Sequence, residues 1–221
     1  MHIPDGFLDA RTWIGATAAG AGAVGYSLKK TREVLEERQI PLLGVIAAFI
    51  FAAQMVNFPV AGGTSGHLIG AVLAAILLGP WAAGLVMTVV IMVQALFFGD
   101  GGITALGANV LNMAFFATFS GYYAYRLLSR LFGGGKARAT GTFIVTFLAS
   151  WFSVVTAATA AALELAASGM VPLGVVLPAM LFWHVIIGLG EGVITAVAVS
   201  FVTSLRPDLQ SMQLAGPSTD H

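Results

Sequence analysis

Cysteine is absent from this chain of 221 residues, and charged residues are scarce. Without cysteine the chain has neither disulfides nor thiolate metal ligands, so any metal would have to be held by nitrogen, oxygen or thioether donors. Only 9% of the residues are charged, whereas a soluble domain usually has about 25%. The ten basic and ten acidic residues balance, which argues against nucleic-acid binding. The composition therefore excludes an ordinary soluble domain.

A secretory signal peptide is also missing from the first residues. The chain begins Met1-His2-Ile3-Pro4, without a basic first region, and no apolar run starts before about residue 12. We therefore expect the mature chain to start at Met1 with a free α-amine.

Hydrophobic residues are abundant, at 58% of the chain. A helix needs roughly 20 apolar residues to cross a bilayer. The third of the candidate stretches is short, and Gly79-Pro80 fits either a kink in one long helix or a turn between two. The stretches are 12–28, 40–56, 66–79, 81–98, 105–128, 140–167 and 171–205. They predict an all-α integral membrane protein with seven transmembrane helices in one domain, 1–206, followed by a disordered cytoplasmic tail, 207–221.

Basic residues in the connections predict the orientation, because loops rich in Lys and Arg prefer the cytoplasm. Seven helices and an extracytoplasmic N-terminus place all three basic clusters inside, whereas fusing the third and fourth helices would place the later two outside. The clusters are Lys29, Lys30, Arg32 and Arg38; Arg126, Arg130, Lys136 and Arg138; and Arg206. We therefore predict an extracytoplasmic N-terminus, with segments 1–11, 57–65 and 99–104 on the same outer face.

The first two residues have the atoms of a metal chelate. The Met1 amine and the deprotonated His2 amide would close a five-membered ring, and that amide and the His2 Nδ1 a six-membered ring. A fourth nitrogen would complete a square, a geometry that suits Ni(II) or Cu(II) better than Zn(II). Most chains beginning Met-His bind no metal, but His67 is predicted to lie at the same membrane face. Together Met1, His2 and His67 predict a metal site.

Three further polar residues are candidates for orienting the imidazoles, because metal-bound histidines usually donate their other N–H to a carboxylate or carbonyl. They are Asn57, Asp100 and Asn109. Asp100 fits an ordinary Asp-Gly turn equally well. His184 and Glu191 share one face of the last helix, where a structural hydrogen bond is favoured over a proton relay.

The motifs resemble those of a known family. Met1-His2-Ile3-Pro4-Asp5-Gly6-Phe7-Leu8, Gly63-Thr64-Ser65-Gly66-His67-Leu68 and Gly107-Ala108-Asn109-Val110-Leu111-Asn112-Met113 are similar to the NikM/CbiM family. These proteins are the substrate-specific (S) components of energy-coupling factor (ECF) transporters for nickel and cobalt. The likeness covers roughly residues 1–206.

The resemblance has several implications. The fold would be an S-component-like bundle with an extra N-terminal helix, and the metal ligands would be Met1, His2 and His67. The partners would be a transmembrane coupling protein, two cytoplasmic ABC-type ATPases and a small accessory membrane subunit. The chain would be a multi-pass protein of a prokaryotic cell membrane, surrounded by the lipid bilayer. A Gly-x-x-x-x-Gly-Lys-Ser/Thr phosphate loop is absent from the sequence, so we expect no ATP binding and no enzyme activity by this chain.

Two alternatives remain open. Co(II) could replace Ni(II) as the captured substrate, since nitrogen ligands accept both, although the N-terminal motif is slightly more like that of the nickel members. A stand-alone secondary transporter would use His184 and Glu191 as a site near the membrane midplane. An intramembrane enzyme is disfavoured, because no His-Glu-x-x-His zinc motif occurs.

Overall fold

The computed structural model describes residues 1–35, 37–60, 64–132 and 138–205. Helices account for nearly all of the regular structure in these ranges, as the all-α prediction expects. They are α1 Ala10–Val34, α2 Ile40–Gln54, α3 Ala71–Leu78, α4 Pro80–Val93, α5 Leu106–Asn109, α6 Ala117–Phe132, α7 Arg138–Ala167 and α8 Leu173–Leu205. A short 3₁₀ turn, Glu37–Gln39, precedes α2.

Two π-helical segments interrupt the α-helical pattern. Gln94–Phe98 extends α4, and Val110–Phe116 joins α5 to α6 into one uninterrupted helical stretch. The helical stretches then correspond to the seven apolar stretches of the sequence, with ends that differ by at most six residues. Whether each of them crosses the membrane stays a prediction. π segments are often found at functional sites, and both lie beside the residues discussed below.

Gly79-Pro80 is a break between two helices, not a kink in one. Helix α3 ends at Leu78, Gly79 has a φ of +81°, and Pro80 is the first residue of α4. Proline suits the first position of a helix because its missing N–H would have no partner there. Helix α3, with eight residues, is only about 12 Å long, whereas the apolar core of a bilayer is roughly 30 Å thick. The third predicted crossing, 66–79, would therefore need the residues before α3 as well.

The chain is a membrane protein. Within the described ranges, three helices are long and apolar enough to span a bilayer, namely Pro80–Phe98, Thr140–Ala167 and Leu173–Leu205. Their outer faces carry large exposed apolar side chains, such as Phe152, Phe182 and Phe201. An exposed apolar surface of this kind is stable against lipid and unstable against water.

Glycines allow the helices to approach closely. Gly192 of α8 lies against the Phe147 ring of α7, where an added Cβ would come within 2.7 Å of the ring. Gly107 of α5 lies against the backbone of α1, where an added Cβ would be 2.3 Å from Thr17 Cα. Membrane helices commonly pack through small residues in this way. The Gly107 contact holds α1 beside the helical stretch that carries Asn109.

A short antiparallel hairpin precedes His67. The sequence did not predict it. Its strands are β1 Phe58–Val60 and β2 Thr64–Gly66, with Phe58 paired to Gly66. Strands of three residues are too short to show the alternating pattern by which a strand is recognised in sequence. The predicted cytoplasmic tail, 207–221, lies outside the described residues, as do Arg206 and Lys136 of the predicted basic clusters.

Candidate metal site

The N-terminus is folded back into the protein. Met1, His2 and Ile3 have exposed fractions of only 1%, 3% and 1%. Asn109 holds the Ile3 backbone from both sides: the Ile3 N–H donates to Asn109 Oδ1 at 2.8 Å, and Asn109 Nδ2 donates to the Ile3 carbonyl at 3.1 Å. The Gly102 N–H donates to the same carbonyl at 2.9 Å. These three bonds satisfy the backbone polar groups of Ile3, which would otherwise be costly to bury.

Asp5 fixes the next turn of the chain against the loop after α4. Its Oδ1 accepts the Thr104 hydroxyl at 2.6 Å and the Thr104 N–H at 2.7 Å, and its Oδ2 accepts the Ile103 N–H at 3.1 Å. The Thr104 hydroxyl and these backbone N–H groups hold the pKa of the Asp5 carboxyl below its ordinary value. Gly102 passes so close that an added Cβ would be 2.3 Å from the Asp5 nitrogen. The N-terminal segment and this loop therefore form one packed unit.

His67 approaches the N-terminus from the segment between β2 and α3. Its ring is 1% exposed and stacks on the His2 ring, with 4.7 Å between centroids and 24° between planes. The His67 Nδ1 lies 2.7 Å from the Leu68 carbonyl oxygen. Because a carbonyl can only accept, Nδ1 carries the proton and Nε2 has the lone pair. The buried Nε2 has no hydrogen-bond partner among the described residues, so it is available as a ligand.

Asp100 lies beside the His2 ring. Its Oδ1 is 3.2 Å from His2 Nδ1, and its Oδ2 accepts a hydrogen bond of 2.9 Å from Asn57 Nδ2. The Asp100 N–H donates to the Gln94 carbonyl at 3.1 Å, so the π turn that ends α4 fixes the position of Asp100. Asn57 and this turn thus orient a partly buried carboxylate toward His2.

Burial favours the neutral forms of the first two residues. Desolvation lowers the pKa of the Met1 amine to about 4, against the opposing attraction of Asp100. Desolvation also lowers the pKa of His2, and again Asp100 opposes the shift. At neutral pH the amine and the His2 ring are therefore unprotonated, which is the form that a metal ion binds.

The structure brings together the residues singled out in the sequence. His2 and His67 are in ring contact, Asp100 is next to His2, and Asn57 is next to Asp100. Asn109 differs from its expected role, because it holds the Ile3 backbone and no imidazole. Asp100 was expected to accept from the ring nitrogen that does not bind the metal, but it lies beside His2 Nδ1, the predicted ligand atom. Met1, His2 and His67 are buried, whereas Asp100 is partly buried at the edge of the cluster and Asn57 is exposed.

Three buried residues near this cluster were not predicted to belong to it. The sequence did not single out Gln94 or Gln54, and Glu191 was expected only to form a structural hydrogen bond. Gln94 is fully buried near His2, and neither polar atom of its side chain has a hydrogen-bond partner among the described residues. Gln54 Nε2 donates to the Ile69 carbonyl at 2.6 Å, and Glu191 accepts from the Ile69 and Gly70 N–H groups. A polar residue in an apolar helix indicates that it has a buried partner, but the sequence does not show which group that partner is.

His184 is bonded within its own helix. Its Nδ1 lies 2.7 Å from the Met180 carbonyl oxygen, and the ring is fully buried. Glu191 is bonded to the segment after His67. His184 and Glu191, which a stand-alone transporter would use together at the membrane midplane, are thus bonded to different backbone groups.

The described residues contain no cluster of three or more His, Asp or Glu side chains that would hold a metal by side chains alone. The cluster instead offers two imidazoles beside the nitrogens of the N-terminus. Those nitrogens belong to the main chain, and they are good donors for Ni(II), Cu(II) and Co(II).

Known proteins match nearly the whole chain. Residues 2–209 match the family CbiM, described as "Cobalt uptake substrate-specific transmembrane region". The "Putative fused nickel transport protein NikMN" of Archaeoglobus fulgidus is 44% identical over 97% of this chain and 70% of its own length. The "Cobalt transport protein CbiM" of Sorangium cellulosum is 37% identical over 95% of this chain and 94% of its own.

A solved structure has the same fold. It is the crystal structure of a truncated transition metal transporter, which is 36% identical to this chain. It superposes with a TM-score of 0.84 and covers 93% of this chain and 99% of the solved one. The fold and the relatives define a class, the membrane components of metal uptake, which are not enzymes. The chain belongs to the CbiM family.

Asn109→Ala is predicted to release the first residues. The substitution removes both side-chain bonds to the Ile3 backbone, each worth about 1 kcal/mol, so amide exchange at Ile3 should accelerate by at least about tenfold. Hydrogen–deuterium exchange of the detergent-solubilised protein, followed in a peptide covering the first eight residues, measures this. Asn112→Ala is the matched control, because Asn112 bonds to Glu164 instead. Equal exchange in both variants would show that Asn109 does not anchor the N-terminus.

Proposed function

We propose that this chain is the substrate-binding subunit of an ATP-driven ECF-type importer and that it captures Ni(II) at the extracytoplasmic face. The ligands are the Met1 amine, the deprotonated His2 amide, His2 Nδ1 and His67 Nε2. The observation that carries the proposal is the burial of Met1 and His2 against a histidine 65 positions away in sequence, whose Nε2 is unpartnered. Burying a polar N-terminus is costly, and a metal chelate supplies a reason for it.

Asp100 supports the chelate through charge. In the metal-free protein the carboxylate lies next to His2 Nδ1, where it favours a proton on that nitrogen. The metal takes the place of this proton, which moves to Nε2 of the same neutral ring, and Asp100 stays beside the cation and balances its charge. Asn57 keeps the carboxylate oriented through the exchange.

The importer assignment rests on the family. The chain would pass the metal to a transmembrane coupling protein driven by two cytoplasmic ABC-type ATPases, with a small accessory membrane subunit. The predicted topology of seven membrane crossings with an extracytoplasmic N-terminus, in the cell membrane of a prokaryote, would place the site on the side from which metal is taken up.

Nickel is placed before cobalt because the N-terminal motif is slightly more like that of the nickel members, although nitrogen ligands accept both ions. Three nitrogens of one N-terminal chelate lie in a plane, and a fourth from His67 closes a square, which suits Ni(II). Relatives carry both names, nickel for the Archaeoglobus protein and cobalt for the Sorangium protein, so Co(II) is the alternative. Metal analysis after competition between the two ions separates them.

Displacing the amine is predicted to abolish high-affinity nickel binding. Two residues placed before Met1 move the amine away from His2, and His67→Ala removes the fourth nitrogen. Loss of a residue that only orients a metal ligand typically costs ~10–100-fold in affinity. Each of these changes removes a ligand itself and should reduce the affinity for nickel by more than that. Isothermal titration calorimetry with Ni(II) measures this.

The number of added residues matters for this experiment. A single residue before Met1 would make His2 the third residue, where an amine, two amides and an imidazole form a different four-nitrogen chelate. Two residues avoid that chelate, and the same two residues placed after His221 are the control. Undiminished affinity in both the extended chain and His67→Ala would refute the ligand assignment.

Proton release is predicted to be close to one per nickel ion bound at about pH 7.5. The Met1 amine, with its pKa lowered to about 4, and the neutral His2 ring have no proton to lose there, so only the His2 amide releases one. The affinity should then fall about tenfold for each unit of pH lowered, and more steeply once the amine itself takes up a proton. Calorimetry in buffers of different ionisation enthalpy counts the protons. A value near zero would exclude the amide as a ligand, and a value near two would exclude the neutral amine.

Metal uptake is predicted to require the partner subunits. Proteoliposomes containing the complete complex and internal ATP should accumulate radioactive nickel, whereas this chain alone should bind nickel without accumulating it. A catalytically inactive ATPase variant in the same complex is the control. Accumulation by the isolated chain would favour the stand-alone transporter instead.

A further inference from the structure

Glu191 is a buried carboxylate in the middle of α8 that is bonded to the segment following His67. Its Oε2 accepts the Ile69 N–H at 2.6 Å and its Oε1 accepts the Gly70 N–H at 2.9 Å. The side chain is 1% exposed, and no Lys or Arg of the described ranges pairs with it. The carboxylate is therefore stabilised chiefly by two backbone donors close to His67 in sequence.

The segment that carries His67 has no helix or sheet ladder of its own between β2 and α3. Gln54 of α2 donates to the Ile69 carbonyl at 2.6 Å, and Glu191 of α8 takes the N–H groups of Ile69 and Gly70. Gly70 has a left-handed φ of +78° and an added Cβ there would be 3.0 Å from Ile50. Side chains of two helices thus set the path of this segment.

A carboxylate is the group best suited to this position. The Gly70 carbonyl accepts the Ala74 N–H as helix α3 begins, so Glu191 lies at the N-terminal end of α3, where the helix dipole favours a negative charge. Each of its oxygens accepts one N–H. A carboxamide would replace one acceptor with an NH₂ group facing a backbone donor, and one of the two bonds would be lost.

We propose that Glu191 is a positioning residue for metal capture, acting by holding the Ile69 and Gly70 backbone so that the His67 ring points Nε2 at the N-terminal nitrogens. This role deepens the proposed function and rests on it. Glu191 thereby links α8 to the metal site, since any displacement of α8 relative to α2 acts on the two anchors of the His67 segment. Supporting neighbours of metal ligands commonly contribute to affinity in this indirect way.

Glu191→Gln tests the role with the smallest possible change of shape. We expect nickel affinity, measured by calorimetry on the purified full chain, to fall about 10–100-fold. Hydrogen–deuterium exchange at Ile69 and Gly70 of the metal-free protein should accelerate. The electron paramagnetic resonance spectrum of bound Cu(II) should show an altered nitrogen ligand set, which a loss of stability alone would not produce.

A double-mutant cycle shows whether Glu191 acts through His67. Cu(II) is the probe, because its higher affinity for nitrogen ligands keeps a site of three nitrogens measurable. In the His67→Ala background, Glu191→Gln should change Cu(II) affinity by less than about twofold, because the ring it positions is already absent. Equal losses in both backgrounds would show an effect independent of His67 and would overturn the proposal.

Two control variants separate this role from general packing. Thr195→Val removes a buried hydroxyl one turn further along α8, and Glu164→Gln makes the same chemical change at another carboxylate, which Asn112 contacts. Both should bind nickel as the unmodified chain does. Wild-type affinity and spectrum in Glu191→Gln would overturn the positioning role alone, whereas an unmodified chain that fails to bind nickel would refute the proposed function itself.

Discussion

The arrangement depends on one constraint: a polar N-terminus is buried, so each of its backbone groups needs a partner inside the protein. Asn109 and Gly102 satisfy Ile3 from both sides, and Asp5 secures the next turn to Thr104. With these bonds in place, Met1 and His2 are held away from water. Desolvation then lowers the pKa of the Met1 amine to about 4, so the amine is unprotonated at neutral pH. The bonds that fold the N-terminus inward therefore also prepare its chemistry.

Irregular backbone surrounds the cluster, and side chains of regular helices hold it in place. A π turn precedes Asp100, a second π segment follows Asn109, and His67 lies in a segment without a hydrogen-bond ladder. In an apolar environment such segments are stable only where protein side chains satisfy their polar groups. Gln54 and Glu191 do this for the residues after His67. Buried polar side chains in apolar helices thus replace the ladder that the loop lacks.

Patterns that are local in the chain predicted an all-α membrane protein and singled out His2, His67 and Asp100, which lie together in the structure. Their role as a metal site stays a prediction. Long apolar stretches identify the helices, and Met1-His2 shows its chelating atoms without any tertiary information. The hairpin before His67 and the partners of Asn109 could not be predicted, because they depend on which distant backbone groups meet after folding. Asn109 was expected to orient an imidazole and instead binds Ile3. A single Asn in an apolar helix indicates that a buried partner exists but not which one.

Charge explains why the proposed chelate is compatible with an apolar surrounding. A divalent ion bound by a neutral amine, two neutral imidazoles and one deprotonated amide has a net charge of +1. Burying that charge without a counter-ion would cost several kcal/mol, and Asp100 supplies the single negative charge beside His2. A chelate made only of neutral ligands would keep the full charge of +2 and would need a second negative group beside it. The amide nitrogen therefore serves both as a ligand and as half of the charge compensation, which ties metal capture to the folding of the first three residues.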